Sequence, residues 1–309
     1  MAVVQTVLGP VDSSNLGVTL THEHLWLDLY RAPGRWDLNG VFNDPDLITA
    51  ELQLFADVGG GSIVEVTLDG IGRNPTALAE ISRRVGVHVV MGCGWYRNPY
   101  YPAKDEIDRR SVGDLAEQLI DEIRTGVGDT GIRPGIIGEL GCDKPWMTAT
   151  EERVHRAAAR AQMATGLPVL THSIGDIGLW QLDVLESEGV DLSRVAVGHA
   201  DSHASLDYYR RILERGGYIE FDKIANPLAF FMPEQRLLEI IATLIEEGHL
   251  ERILLSQDTC LRTELTTFGG PGYAFLLTDY IHRLRDAVGL GEDEITTLTT
   301  TNPQRFLAG

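Results

Sequence analysis

The stretch Val18-Thr19-Leu20-Thr21-His22-Glu23-His24-Leu25 reads as a β-strand ending in two histidines spaced two apart. Strand side chains alternate in direction, so His22 and His24 point to the same side and their imidazoles can share one metal ion. Similar short apolar or β-branched runs recur at 62–67, 88–96, 135–141, 168–173, 194–200, 218–224 and 252–259, which makes eight with the first. Helical patterns lie between them. Over 150–165, for example, Val154, Ala157, Ala158 and Ala161 recur at helical spacing behind Thr150-Glu151-Glu152. Eight β-then-α units over roughly 250 residues fit a closed parallel (β/α)8 TIM barrel better than an open doubly wound sheet. No Pro/Ser-rich or charged linker breaks the alternation, so one barrel domain over 1–309 is expected. Gly59-Gly60-Gly61 precedes a strand, whereas phosphate-cradling loops follow one, and it reads as a plain αβ turn.

Composition narrows the function. The 309 residues carry 26 basic and 45 acidic side chains, a net charge of −19, with no basic cluster. Such a chain repels phosphate backbones and anionic lipid surfaces, which excludes nucleic-acid and peripheral-membrane roles and leaves a small-molecule partner; a homodimer is compatible with it. No apolar run reaches the ~18 residues of a membrane helix, and residues 1–10 lack a basic segment followed by an apolar core, so a cytoplasmic location is expected. Three cysteines, Cys93, Cys142 and Cys260, without CxxC spacing, argue against a disulfide framework or a zinc finger.

Working residues of such barrels sit at the C-terminal strand ends. Besides His22 and His24, those ends carry Glu139 in Gly138-Glu139-Leu140, His172 in Thr171-His172-Ser173, His199 in Gly198-His199-Ala200 and Asp258 in Ser256-Gln257-Asp258. A single strand-end histidine is ordinarily a hydrogen-bonded core residue. Here four of nine histidines converge, while His88, His155, His203, His249 and His282 fall at strand starts, on helices or in loops. Four imidazoles and two carboxylates suit borderline divalent metals and exceed the ligand count of one zinc site, which points to two divalent ions with Glu139 as bridge. Zinc is the first choice, with manganese, cobalt or iron as alternatives.

At these residues the chain resembles the phosphotriesterase family of the amidohydrolase superfamily, and in particular phosphotriesterase-related proteins and phosphotriesterase-like lactonases. The resemblance runs nearly end to end. It is carried by Thr6-Val7-Leu8-Gly9-Pro10, Leu20-Thr21-His22-Glu23-His24, Asp69-Gly70-Ile71-Gly72-Arg73, Gly135-Ile136-Ile137-Gly138-Glu139, Gly198-His199-Ala200-Asp201 and Thr301-Asn302-Pro303-Gln304-Arg305-Phe306. It implies a bimetallic hydrolase in which His22, His24 and Asp258 hold a buried ion, His172 and His199 an outer one, and a carboxylate bridges them. Relatives use either a carboxylated lysine or a glutamate as bridge. Only Lys104, Lys144 and Lys223 occur here and none ends strand four, which selects Glu139. Two cations lower the pKa of a trapped water toward neutrality, so a metal-bridging hydroxide is the expected nucleophile and Asp258 the expected proton acceptor and donor.

The pocket wall is expected from Trp26, from Trp95-Tyr96-Arg97 and Tyr100-Tyr101, from Lys223 and from the loop 261–272. Tyr96 is similar to a tyrosine of lactone-hydrolysing relatives, and Lys223 stands where relatives carry Arg or His. The cysteines read as packing residues, since harder ligands already fill the coordination spheres. Asp201 orients a ligand, relays a proton or caps a loop. Cleavage of a lactone or carboxylic ester is the first expected reaction, with Tyr96 and a rim-placed Lys223 polarising the substrate. Amide cleavage of N-acylated small acids, with Arg97 or Lys223 holding an anion, is the alternative, and phosphotriester hydrolysis a side reaction.

Overall fold

All eight expected runs are strands in the computed structural model, which describes residues 2–31, 38–225 and 231–309. They are β1 (Val18–Glu23), β2 (Gly60–Glu65), β3 (His88–Cys93), β4 (Ile136–Gly141), β5 (Val169–His172), β6 (Val195–Gly198), β7 (Tyr218–Phe221) and β8 (Ile253–Leu255). Each neighbour pairs in parallel, in sequence order from β1 to β8, as consecutive right-handed crossovers require. Helices α1 (Pro45–Asp57), α2 (Pro75–Val85), α3 (Val112–Thr125), α4 (Ala149–Thr165), α5 (Ile177–Ser187), α6 (Leu206–Glu214) and α7 (Glu234–Glu246) occupy the crossovers, and helical turns over 276–288 follow β8. The fold is a TIM barrel.

Two apolar layers fill it. Val64, Val90, Ile136, Leu170, Ala196, Tyr218 and Leu254 form an inner plug, closed from below by Val4 and Leu16 and by Phe306 and Leu307 of the last helix. A larger cluster packs the outer strand faces against the helices. Because these groups cluster at the strand starts, the polar residues at the strand ends face the other mouth.

The gap between β8 and β1 is bridged by side chains. The buried Glu23 carboxylate accepts from Gln257 N at 2.8 Å, Thr259 N at 2.8 Å and Ser256 Oγ at 2.7 Å, while Ser256 Oγ accepts from His22 N at 2.9 Å. The segment that carries Asp258 is thus pinned to the strand that carries His22 and His24. The turn at 59–61 is an αβ turn, as expected; a Cβ on Gly61 would stand 2.3 Å from the carbonyl oxygen of Leu16.

α4 begins earlier than its apolar pattern suggests. Its cap is Thr148, not the Thr150 cluster: Thr148 Oγ1 accepts from Glu151 N at 3.3 Å, and the Glu151 carboxylate accepts from Thr148 N at 2.9 Å and Asp143 N at 2.7 Å. Thr148→Ala should therefore cost about 1 kcal/mol, and Thr148→Ser should retain most of it. Urea unfolding checks this through the midpoint, with the slope unchanged.

Candidate metal centre

The six strand-end residues do meet, although simple alternation does not bring them all inward. Leu20 packs in the outer cluster, yet His22, two positions on, faces the mouth; the β1–β2 register shifts between Leu20 and Glu23. In β4, Ile136 points inward and both Ile137 and Leu140 outward, with a register irregularity between the last two that turns Glu139 into the barrel. His199 and Asp258 take left-handed backbone angles, φ 52° and φ 43°, which cost non-glycine residues on the order of 1–3 kcal/mol each unless the surroundings impose them. Here they do: His199 N donates to Asp222 Oδ2 at 2.7 Å, and Asp258 N donates to the carbonyl of His22 at 3.0 Å.

Glu139 is the hub of the cluster. Its Oε2 lies 2.8 Å from His172 Nδ1, 3.3 Å from His22 Nε2 and 3.7 Å from His199 Nε2, and its Oε1 lies 3.5 Å from His24 Nε2. Asp258 Oδ1 is 3.2 Å from His24 Nε2 and 4.0 Å from His22 Nε2. Two triads with ligand atoms all within 4.8 Å, His22/His24/Glu139 and Glu139/His172/His199, share Glu139.

Three of the imidazoles are gripped from behind. His22 Nδ1 faces Glu220 Oε2 and Asp222 Oδ2, both at 3.1 Å; His24 Nδ1 meets Thr67 Oγ1 at 2.7 Å; His199 Nδ1 meets Asp222 Oδ1 at 2.6 Å. Such partners fix ring orientation and leave the other nitrogen to bind. His22 Nε2 is fully buried and has no hydrogen-bond partner. A buried nitrogen without a hydrogen bond, 3.3 Å from Glu139 Oε2 and among other imidazoles and carboxylates, belongs to a donor set that fits a divalent metal.

The electrostatics follow from burial and packing. Burial pushes the carboxyls of Glu65 and Glu220 up to about 7. Burial opposes ionisation of Asp222 too, but His199 and His22 hold its carboxyl below the usual range. Glu139 is likewise lowered, against its burial, by His22 and the rings around it. Burial raises the Tyr96 phenol far above its ordinary value, so it stays protonated.

A cleft of ≈ 270 Å³ opens over the cluster, lined by His24, Glu139, His172, His199 and Asp258 and by Leu27, Leu29, Ile71, Tyr96 and Cys260. Of the expected substrate contacts, Tyr96 is on this wall, its hydroxyl 3.5 Å from His172 Nε2. Trp26 is half-buried against the outer core and, like Arg97, is not part of the lining among the described residues. Lys223 corrects the expectation of a rim cation. It is 3% exposed, with Nζ donating to the Asp258 carbonyl at 2.6 Å and paired with Asp258 Oδ2 at 3.0 Å and Glu264 Oε1 at 3.3 Å. A buried ammonium needs carboxylates around it, and these two hold it away from the cleft. Asp201 Oδ2 accepts from Lys223 N at 2.7 Å, and the carboxylate that meets His199 Nδ1 is Asp222. Glu220 and Asp222 were missed. The run Tyr218-Ile219-Glu220-Phe221-Asp222 alternates, and that period could have placed both carboxylates inside the barrel.

Comparison with known proteins agrees with this geometry. A family model described as the phosphotriesterase family matches residues 2–307. The phosphotriesterase homology protein of Escherichia coli (strain K12) is 35% identical over 291 residues, covering 94% of this chain and 97% of that protein. The N-acetyltaurine hydrolase of Danio rerio is 30% identical over 346 residues, covering 98% and 97%. The crystal structure of a lactonase from Listeria monocytogenes superposes with a TM-score of 0.91 at 26% identity, covering 99% of each chain.

The burial of Lys223 makes a stability prediction. Lys223→Met leaves Asp258 and Glu264 without their buried counter-charge and should cost about 3–5 kcal/mol. Adding Glu264→Gln should return part of that loss, read as a positive coupling in a double-mutant cycle of unfolding free energies.

Proposed function

The chain belongs to the phosphotriesterase family, and on that premise we propose that it is a hydrolase that cleaves a small lactone or carboxylic ester at two divalent ions, zinc in the first instance. His22, His24, Glu139, His172, His199 and Asp258 would hold them, with Glu139 between the two. The observation that carries this reading is the convergence of four imidazoles and two carboxylates on one buried cluster, in which His22 Nε2 makes no hydrogen bond. When bound, two such ions polarise a carbonyl oxygen and acidify a water so that it can attack at neutral pH.

The chain's own residues supply the rest. Leu27, Leu29 and Ile71 give the cleft an apolar side that receives an acyl chain and excludes bulk water. Tyr96, held protonated by its burial, donates a hydrogen bond to the oxygen that gains charge during attack. Asp258 takes the proton of the attacking water on Oδ1, the oxygen beside His24, and returns it to the leaving oxygen. Lys223 grips Oδ2 and so fixes which oxygen is offered.

Amide cleavage of an N-acylated small acid is the second reading. It is supported by the 30% identity to an N-acetyltaurine hydrolase over 98% of the chain. Phosphotriester hydrolysis is then a side reaction.

Titrating the chelated apoprotein with zinc in carbon-dioxide-free buffer should restore activity at about two equivalents without bicarbonate, because the bridge is a carboxylate and Lys144 is exposed and paired with Asp143 at 3.1 Å. Full activity at one equivalent, or a bicarbonate requirement, overturns the bridge assignment. A panel of lactones, esters, N-acyl amino acids and phosphotriesters then ranks the chemistry. On the best substrate Asp258→Asn should lower kcat by about 10²–10⁴. A normal rate at full metal occupancy would remove Asp258 from the proton transfer.

A further inference from the structure

Where Glu139 turns into the barrel, the β4–β5 ladder is irregular: pairing lapses after Ile137 and resumes with Leu140 opposite Thr171 and Gly141 opposite His172. Backbone pairing alone therefore does not set the place of Glu139 relative to His172, although their side chains meet at 2.8 Å. Gln181, fully buried on α5, bridges the two strands there. Its Nε2 donates to the carbonyl of Leu140, next to Glu139, at 3.1 Å and to that of His172 at 3.3 Å. Gly178, one turn earlier on the same helix face, lets α5 come this close: a Cβ there would stand 2.6 Å from Val197 Cγ1 and 3.3 Å from Ser173 Cβ.

The surroundings allow the amide one orientation. Ser173 Oγ donates to Oε1, whereas Nε2 faces a third acceptor, His155 Nε2, at 3.2 Å. His155 is fully buried on α4, and its Nδ1 lies 2.8 Å from the Glu151 carbonyl, which can only accept; Nδ1 therefore carries the ring proton and Nε2 the lone pair. Burial also lowers the pKa of this ring, which keeps it neutral. Turning the amide over would set its oxygen against two carbonyls and a lone pair, leaving buried acceptors without donors. The buried His155, which lies outside the metal cluster, is thus accounted for as the acceptor that keeps the Gln181 nitrogen facing the strand ends.

We propose that Gln181 is a positioning residue for the metal centre: its one amide ties the backbone beside Glu139, the bridge, to that of His172, an outer ligand, and so sets the opening between the two side chains. The inference rests on the reading of the cluster as a two-ion site and adds to it a residue that acts from behind, through the ligands. His22, His24 and Asp258 are held by other groups, Glu220 and Asp222, Thr67 and Lys223. Loss of the Gln181 amide is therefore felt at the outer ion and spares the inner one.

Two variants test this. Gln181→Met keeps the length and approximate volume of the side chain and removes its donors; Gln181→Asn keeps the amide and withdraws it by one methylene. In calorimetric titration of the chelated proteins with zinc, the second ion should bind about 10- to 100-fold more weakly to both variants than to the parent, and the first ion within about threefold of it. Ser82→Ala removes a buried hydrogen bond to the Val87 carbonyl, at the opposite end of the barrel, and as a control for lost stability should leave both ions unchanged. In metal-free crystals of whichever variant folds, the contact between Glu139 and His172 should lengthen by more than about 0.5 Å, the tolerance within which such a constellation works. Equal weakening of both ions, an unchanged second ion or an unchanged contact overturns the clamp and leaves the hydrolase reading intact. A parent that takes up a single ion, with a lengthened contact in the variants, upholds the clamp and sinks the two-ion reading instead.

Discussion

Asp222 holds two imidazoles at once, and the geometry of the cluster depends on that grip. One oxygen lies 2.6 Å from His199 Nδ1; the other accepts from the His199 backbone at 2.7 Å and lies 3.1 Å from His22 Nδ1. The backbone contact supports the left-handed turn at His199, and the ring contacts aim both Nε2 atoms at Glu139. A carboxylate buried this deeply is tolerated only with such partners, so ring orientation and charge compensation come from the same contacts.

A second anchor sits one residue on, past the end of the same strand. Lys223 ties the end of β7 to Asp258 and to Glu264, and Glu264 accepts from the backbone of Cys260 and Leu261 at 2.8 and 2.9 Å. Glu23 pins the same segment to β1 through Gln257 and Thr259. Asp258 is thus fixed from β1, β7 and β8 at once, across the seam where no strand ladder is formed among the described residues. The lysine that looked like a substrate contact is part of the scaffold, because its charge answers a cluster otherwise rich in carboxylates.

The cleft left above these anchors is asymmetric. Leu27, Leu29 and Ile71 line one part of it and Tyr96 another, and His24, Glu139, His172, His199 and Asp258 form the polar floor. Membership of the phosphotriesterase family supplies the class of chemistry, hydrolysis.

Sequence alone determined the eight strands, the barrel and the set of six strand-end residues, because hydrophobic period and strand-end chemistry are local properties and each run carried its own signal. No lysine stands at the strand end that carries Glu139. Sequence alone did not determine which way Glu139, His199 and Asp258 point. Those directions come from register shifts and left-handed turns that depend on hydrogen bonds to distant strands. The same holds for Asp222, Lys223 and Arg97. Whether a charged side chain is a scaffold tie or a free contact is decided by which opposite charges the fold brings within about 3–4 Å of it, and for these residues those partners lie on other strands and loops.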